Sequence, residues 1–296
     1  MSEVKAEESF GTFSGVFRPI TLTVLGAMLY LREGWLVGEA GLLGALLVIA
    51  VAATITGTTA MSLASIASNV RVRPGGAFAI IAQALGLEAG GAIGVPLYIA
   101  QSVSAAMYIY AFAESWALLF PDHPSGIVAG IAFSAVALLA WRSANLALRA
   151  QGVMLVVVAA ALLSALGGLA VVTPQPVRLL GELPDAGIVE LFAIFFPAFT
   201  GIMVGAGMSG SLTDPRRAIP RGTLAAWGVT TLCYVIFAFW YALIAPSEVL
   251  IAERGIIIDR ALVPQLVLAG LLSSTLMAAL SSLVAAPRLL QAMAQH

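Results

Sequence analysis

Charge is what this sequence has least of. Asp, Glu, Lys and Arg make up 10% of its 296 residues, where a soluble domain carries roughly a quarter. A soluble globular fold is thereby excluded, and no basic face is offered to nucleic acid. The single cysteine, Cys233, lies in an apolar run, so neither an internal disulfide nor a cysteine metal cluster can form, and it reads as core filler. The two histidines are His123, in an outer loop, and His296, at the terminus. No His cluster and no paired carboxylates stand within the apolar stretches, so the pattern is not that of an enzyme and no cofactor is expected. The opening residues, MSEVKAEESF, have neither an apolar core nor a small-residue cleavage site, and no cleaved secretory signal is visible in them.

What the sequence has in abundance is apolar: 60% hydrophobic residues and a mean hydropathy of +1.01. Runs near the ~20 residues needed to cross a bilayer fall at about 18–38, 40–68, 89–119, 125–142, 146–172, 188–210, 222–246 and 263–288. They predict an all-α integral membrane protein with about eight transmembrane helices, because lipid-exposed backbone has to satisfy its own hydrogen bonds. Between the second and third runs, NVRVRPGGAFAIIAQALGLE joins a Pro-Gly-Gly turn to a short amphipathic stretch, expected as a surface or re-entrant helix.

Positive residues set the orientation. With the N-terminus inside, Lys5, Arg18, Arg71, Arg73, Arg142, Arg149, Arg216, Arg217, Arg221 and Arg288 are cytoplasmic, while only Arg178, Arg254 and Arg260 lie outside. This bias predicts a multi-pass protein of the cell membrane with both termini cytoplasmic, beginning with a tail over residues 1–17.

Two of the runs carry helix-weakening residues in their middles. The first, RPITLTVLGAMLYLREGW, has Thr21, Thr23 and Gly26; the sixth, LFAIFFPAFTGIMVGAGMSGSLTDP, has Pro197, Thr200, Gly201, Gly205 and Gly207. Paired interruptions at equivalent positions of two inverted repeats are the best sequence pointer to a transporter's central site. The alternative is that these glycines only permit close helix packing. A helix broken at mid-membrane exposes carbonyls at the end of its first half and N–H groups at the start of its second. In the first run the carbonyls near Thr23 and Val24 face the N–H groups of Gly26, Ala27 and Met28. In the sixth, the Pro197 carbonyl and the Thr200 hydroxyl precede the N–H groups of Gly201, Ile202 and Met203. One cation position flanked by two anion positions follows. No carboxylate lies in either break, which suits potassium better than magnesium or calcium.

Arg32 and Glu114 are ionisable groups in or near apolar runs, where an unpaired charge is expensive. At 1.5 Å per residue they sit about 6 and 9 Å outside the candidate site, counted from Met28 and Tyr108. A salt bridge between them would close it to the outside. The alternatives are that both snorkel to the interface or that Glu33 competes for Arg32.

The strings GAMLYLREGWLVGEAG, RPGGAFAIIAQALGLEAGGAIG, AAMYIYAFAE, FFPAFTGIM followed by SGSLTDPRRAIPRGT, and SSLVAAPRLLQA resemble the cation–chloride cotransporters, a branch of the amino acid–polyamine–organocation superfamily, over nearly the whole chain. The resemblance implies an inverted-repeat, five-plus-five transporter fold with discontinuous first and sixth helices: a first repeat over 18–172 and a partial second over 188–290. It implies potassium held by the carbonyls of Thr23 and Val24, the Tyr108 hydroxyl, the Pro197 carbonyl and the Thr200 hydroxyl. It also implies chloride at Gly26, Ala27 and Met28 and again at Gly201, Ile202 and Met203, with Arg32 and Glu114 as extracellular gate. Thr23 stands where such proteins usually have asparagine. Where sodium-dependent members have two serines, this chain has Met277 and Ala278, so the sodium site is expected to be lost. Ser273, Ser274 and Thr275 are nearby, and their hydroxyls are expected to bond back to the helix.

These implications add up to electroneutral, sodium-independent cotransport of K⁺ with Cl⁻. The fold needs ten helices, so the chain is expected to be truncated after the eighth, with a second chain or a homodimer as partner. An amino-acid permease of the same superfamily is the nearest rival, though such proteins usually carry a denser glycine motif than VLGAML. A non-transporting membrane subunit is the other.

Overall fold

The computed structural model describes residues 10–69, 75–142, 144–182, 187–207 and 209–295, with the backbone alone at 142 and over 144–149. Lys5, Arg71, Arg73 and most of the predicted tail lie outside the described residues. The elements are α1 (Arg18–Val24), α2 (Ala27–Leu31), α3 (Glu33–Asn69), α4 (Ala77–Leu85), α5 (Leu87–Ala117), α6 (Ser125–Arg142), α7 (Ala144–Gly167), α8 (Gly187–Phe195), α9 (Val204–Gly207), α10 (Pro215–Ile244), α11 (Ser247–Ala252), α12 (Ile256–Asp259) and α13 (Pro264–Ala294). A π-helical turn, Phe13–Phe17, leads into α1. Among the described residues, seven helical stretches are long and apolar enough to cross a membrane, and Ser125–Trp141 is a shorter apolar helix.

Apolar side chains in these helices divide between two surroundings. On α3, Leu43, Leu47, Val51 and Ile55 recur at every fourth residue and are exposed, whereas Ala45, Val48, Ile49 and Ala52 are buried. A stripe at that spacing is one face of a helix. Its exposure places lipid against Leu, Val and Ile, while the smaller alanines allow α10 to approach. Trp227 of α10 donates its indole N–H to the Ala53 carbonyl at 3.1 Å, a bond that lipid would not supply.

The first and second predicted spans meet without a loop. Helix α3 turns a corner at Gly41, whose φ of 69° is a left-handed conformation suited to glycine. The corner is clasped by the loop before α8. The amides of Leu42 and Leu43 donate to the carbonyls of Arg178 and Leu179, each at 3.0 Å, and the Gly181 amide donates to Ala40 at 3.0 Å.

The N-terminal segment is tied to the end of the sixth span. The Phe10 amide donates to Ser211 at 2.9 Å, and the Thr213 amide donates to Phe10 at 3.1 Å. Val16 lies where side chains at Gly205 and Gly222 would be, 2.6 and 2.7 Å away. Gly205 thus serves close packing, one of the two roles open to it on sequence grounds. The stretch after the Pro-Gly-Gly turn forms the short helix α4, which rests on α5 and brings Phe78 against Leu289 and Ala292 of α13. Helices α10 and α13 begin at Pro215 and Pro264, where proline at a first helical turn costs no hydrogen bond, and run to Ile244 and Ala294.

Candidate functional site

Both interruptions are real breaks. In the first span, helical geometry stops at Leu25 (φ −79°, ψ 50°) and Gly26 is extended (φ −99°, ψ −155°) before α2 begins at Ala27. No side chain caps α2 at Gly26. A side chain at Gly26 would press on the Thr23 carbonyl at 3.0 Å. In the sixth span, α8 tightens into a 3₁₀ turn over Phe196–Phe199, Thr200 is extended (φ −78°, ψ 161°), and Gly201 swings to φ +106°. The chain then turns through Ile202 and Met203 into the four residues of α9.

The two breaks touch. A side chain at Gly201 would meet the Thr23 Cγ2 at 2.6 Å, with Val24 just beyond at 3.9 Å. Around this contact the predicted cation oxygens fall into two groups. The Thr200 hydroxyl donates to the Pro197 carbonyl at 2.7 Å, and the Thr200 and Tyr108 side chains share a hydrogen bond. On the other side are the main-chain oxygens of Thr23 and Val24. The Thr23 hydroxyl is spent on its own helix, donating to Pro19 at 2.8 Å. Thr200 alone among these five residues is exposed; Thr23, Val24 and Tyr108 are buried. The predicted anion positions follow directly, Gly26, Ala27 and Met28 at the start of α2 and Gly201, Ile202 and Met203 in the turn before α9.

Two tyrosines of α10 complete the setting and were not among the expected residues. Tyr234 donates its hydroxyl to the Val24 carbonyl at 2.7 Å and lies 3.5 Å from that of Ala198, so it bridges the two breaks. Tyr241 donates to the Leu29 carbonyl at 2.9 Å, near the end of α2. Their spacing of seven residues puts them two turns apart on one helix face. The available signal was that a tyrosine inside an apolar run needs an acceptor for its hydroxyl.

Beyond the C-terminal end of α2, Arg32 Nη2 lies 3.6 Å from Glu114 Oε1, an ion pair. The shorter contact to the same oxygen, 2.6 Å, comes from Arg254 in the loop between α11 and α12. Sequence reasoning placed Arg254 only as an outer-loop charge. Glu33, the alternative partner for Arg32, is fully buried and its carboxyl oxygens have no hydrogen-bond partner among the described residues.

Met277 and Ala278 are buried on α13, and Met277 lines an apolar groove of about 640 Å³ shared with Phe112, Trp116 and Ile127. Nearby, the Ser274 and Thr275 hydroxyls both donate to the Leu271 carbonyl at 3.0 Å, back along their own helix. The remaining helix-end cluster is modest: Arg217 Nε lies 3.6 Å from the Asp214 carboxylate at the start of α10.

The amino acid permease family profile matches residues 16–296. Over 97% of its length the chain is 35% identical to solute carrier family 12 member 8 of Mus musculus, of which it covers 43%. It is 31% identical over 99% of its length to member 9 of Rattus norvegicus, covering 38%, and 38% identical over 79% to member 2 of Homo sapiens, covering 21%. The chain thus spans less than half the length of the relatives it matches.

Proposed function

The chain belongs to the amino acid permease family, and from that premise we propose that it forms the ion-binding part of a secondary transporter that carries K⁺ with Cl⁻ and does not use Na⁺. The observation that carries this reading is the seat of Gly201 on Thr23, which sets two helix breaks face to face. Chain direction then decides the chemistry. Carbonyls that end α1 and the 3₁₀ turn of the sixth span present partial negative charge to a cation, with the Tyr108 and Thr200 hydroxyls beside them. The first turns of α2 and of Gly201–Met203 present N–H groups to anions. K⁺, weakly hydrated and served by neutral oxygens, fits the first; Cl⁻ fits the second. A carbonyl has two lone pairs, so the Tyr234 hydroxyl on Val24 leaves room for a cation.

Sodium independence is supported by Met277 and Ala278, which offer no side-chain oxygen, and by the Ser274 and Thr275 hydroxyls, which are turned onto their own helix. Arg32, Glu114 and Arg254 form the outer gate. We place both termini in the cytoplasm and the protein in the plasma or inner membrane. Helices α1 to α7 make a first repeat over 18–172, and α8 to α13 part of a second over 188–290.

The test is ion flux in proteoliposomes. K⁺ uptake is expected to require Cl⁻, to ignore Na⁺ and, for one-to-one coupling, to ignore membrane potential. Uptake that persists unchanged after Cl⁻ replacement overturns the proposal, and Na⁺ dependence overturns its subgroup. The family's own description supports a second reading, an amino-acid permease using the same breaks for a carboxylate and an amine. Chloride-independent uptake of an amino acid would select it.

A further inference from the structure

Among the described residues, Glu33 is the one buried acid for which the ion-binding reading has no use. It lies seven residues beyond Gly26, about 10 Å outward of the break at 1.5 Å per residue. None of it is exposed, and neither carboxyl oxygen has a hydrogen-bond partner among the described residues. The neighbouring cations are already engaged: Arg32 and Arg254 both converge on Glu114. No charged group offsets the burial of Glu33. The titratable groups within its electrostatic reach are Cys233, Tyr234 and Tyr241 of α10, and none is cationic. Tyr234 and Tyr241 have already given their hydroxyl hydrogens to Val24 and Leu29. On its own span, Tyr30 is buried with its hydroxyl likewise unpartnered. On α5, the nearest acid is Glu114, held by the two arginines.

A carboxylate closed off from solvent, with neither a cation nor a donor beside it among the described residues, carries an uncompensated charge, and such a group takes up a proton instead. Ionisable groups inside membrane helices mark ion and proton pathways. The seal over Glu33 is a close helix contact. The next residue, Gly34, lies so close to the Tyr241 ring that a side chain there would meet it at 2.8 Å. The preceding residue, Arg32, belongs to the outer ion-pair cluster.

We infer that Glu33 is a proton site, holding a proton as the neutral acid while α2 and the start of α3 are packed against α10, and releasing it to outside water when those helices separate. The exchange is an acid–base step with water alone: the O–H bond of the carboxyl breaks, its proton passes to water, and the carboxylate is then hydrated through the open mouth. External acid therefore holds the outer side closed, and external alkali favours its opening. The gating half of this inference rests on the transport reading above; the protonation half does not.

Infrared spectroscopy of the membrane-embedded protein separates the two. A protonated-carboxyl C=O band that shifts down in D₂O is expected, absent in Glu33→Gln and retained at a displaced frequency in Glu33→Asp. In proteoliposomes, KCl flux is expected to vary with external pH by up to ~10-fold per unit, the limit for one linked proton. The profile should be flat in Glu33→Gln and pH-dependent again in Glu33→Asp. A spectrum unchanged by Glu33→Gln overturns the proton site. A Glu33→Gln profile as steep as the wild type, or a wild type already flat, overturns the gating role. An intact band with no KCl flux under any condition upholds the proton site and refutes the transport reading instead.

Discussion

The two helix breaks are built in opposite ways. The first is held from outside: Tyr234 donates to the Val24 carbonyl, Tyr241 to Leu29, and both come from α10. The second is held mainly from within, by a 3₁₀ turn, the Thr200 hydroxyl on the Pro197 carbonyl three residues back and the left-handed Gly201, with only a long 3.5 Å contact from Tyr234 to Ala198 and the Tyr108 side chain on Thr200 from other helices. The first is buried throughout Thr21–Ala27, whereas Thr200 of the second is exposed. A break held by another helix keeps its oxygens in place only while that helix stays. A break made by its own backbone keeps its shape as neighbours move. On the transport reading, the second break is the fixed part of the cation site, and the first is the part that responds to movement of α10.

Substitutions at each break test that contrast, beginning with the largest expected effect. Gly201→Ala forces a side chain onto Thr23 and a Cβ into a left-handed conformation. It is expected to cost roughly 2–4 kcal/mol and to bring flux to background, read by thermal unfolding in detergent and by KCl uptake; an unaltered protein would show that the turn is dispensable. Thr200→Val removes an oxygen from the exposed break. The half-saturating K⁺ concentration is expected to rise about tenfold, the equivalent of roughly 1.4 kcal/mol, while Thr200→Ser stays near wild type. If both behave alike, the hydroxyl is not a ligand.

Tyr234→Phe and Tyr241→Phe are each expected to lose about 1 kcal/mol of stability, the net worth of one hydrogen bond. Only Tyr234→Phe should also alter the K⁺ dependence, because only Tyr234 touches a cation-facing carbonyl. Equal effects on K⁺ dependence would erase the distinction between the two tyrosines. The smallest effect belongs to the outer cluster. Arg254→Ala removes a partly exposed partner of Glu114, worth about 0.2–1 kcal/mol, and its influence on flux should fade as ionic strength screens the pair. An effect that is indifferent to salt would mean that Arg254 acts through packing.

Much of the architecture was legible in the residues. Apolar runs located the spans because lipid demands helices of fixed minimum length. Glycine with threonine or proline located both breaks, since those residues weaken a helix wherever they fall. Arg32 and Glu114 were paired on cost alone, and the pair is present. Other features had no local signature. That Arg254 makes the shorter contact to Glu114 depends on how the loop between α11 and α12 folds over the mouth. That Glu33 is left without a cation depends on Glu114 taking both arginines. Gly205 and Gly201 stand four residues apart in one run, and only the packing of Val16 on one and of Thr23 on the other separates their roles.

By itself, then, the sequence determined the solvent of this protein, the approximate positions of its spans, and the places where two of them must break. Those properties follow from local composition and from the backbone's need for hydrogen bonds in lipid. Only the tertiary structure decided that the breaks meet at Thr23 and Gly201, that Tyr234 bridges them, and which acid keeps a cation partner. These are contacts between residues far apart in the chain, and their geometry is set by how helices pack rather than by what any one helix contains.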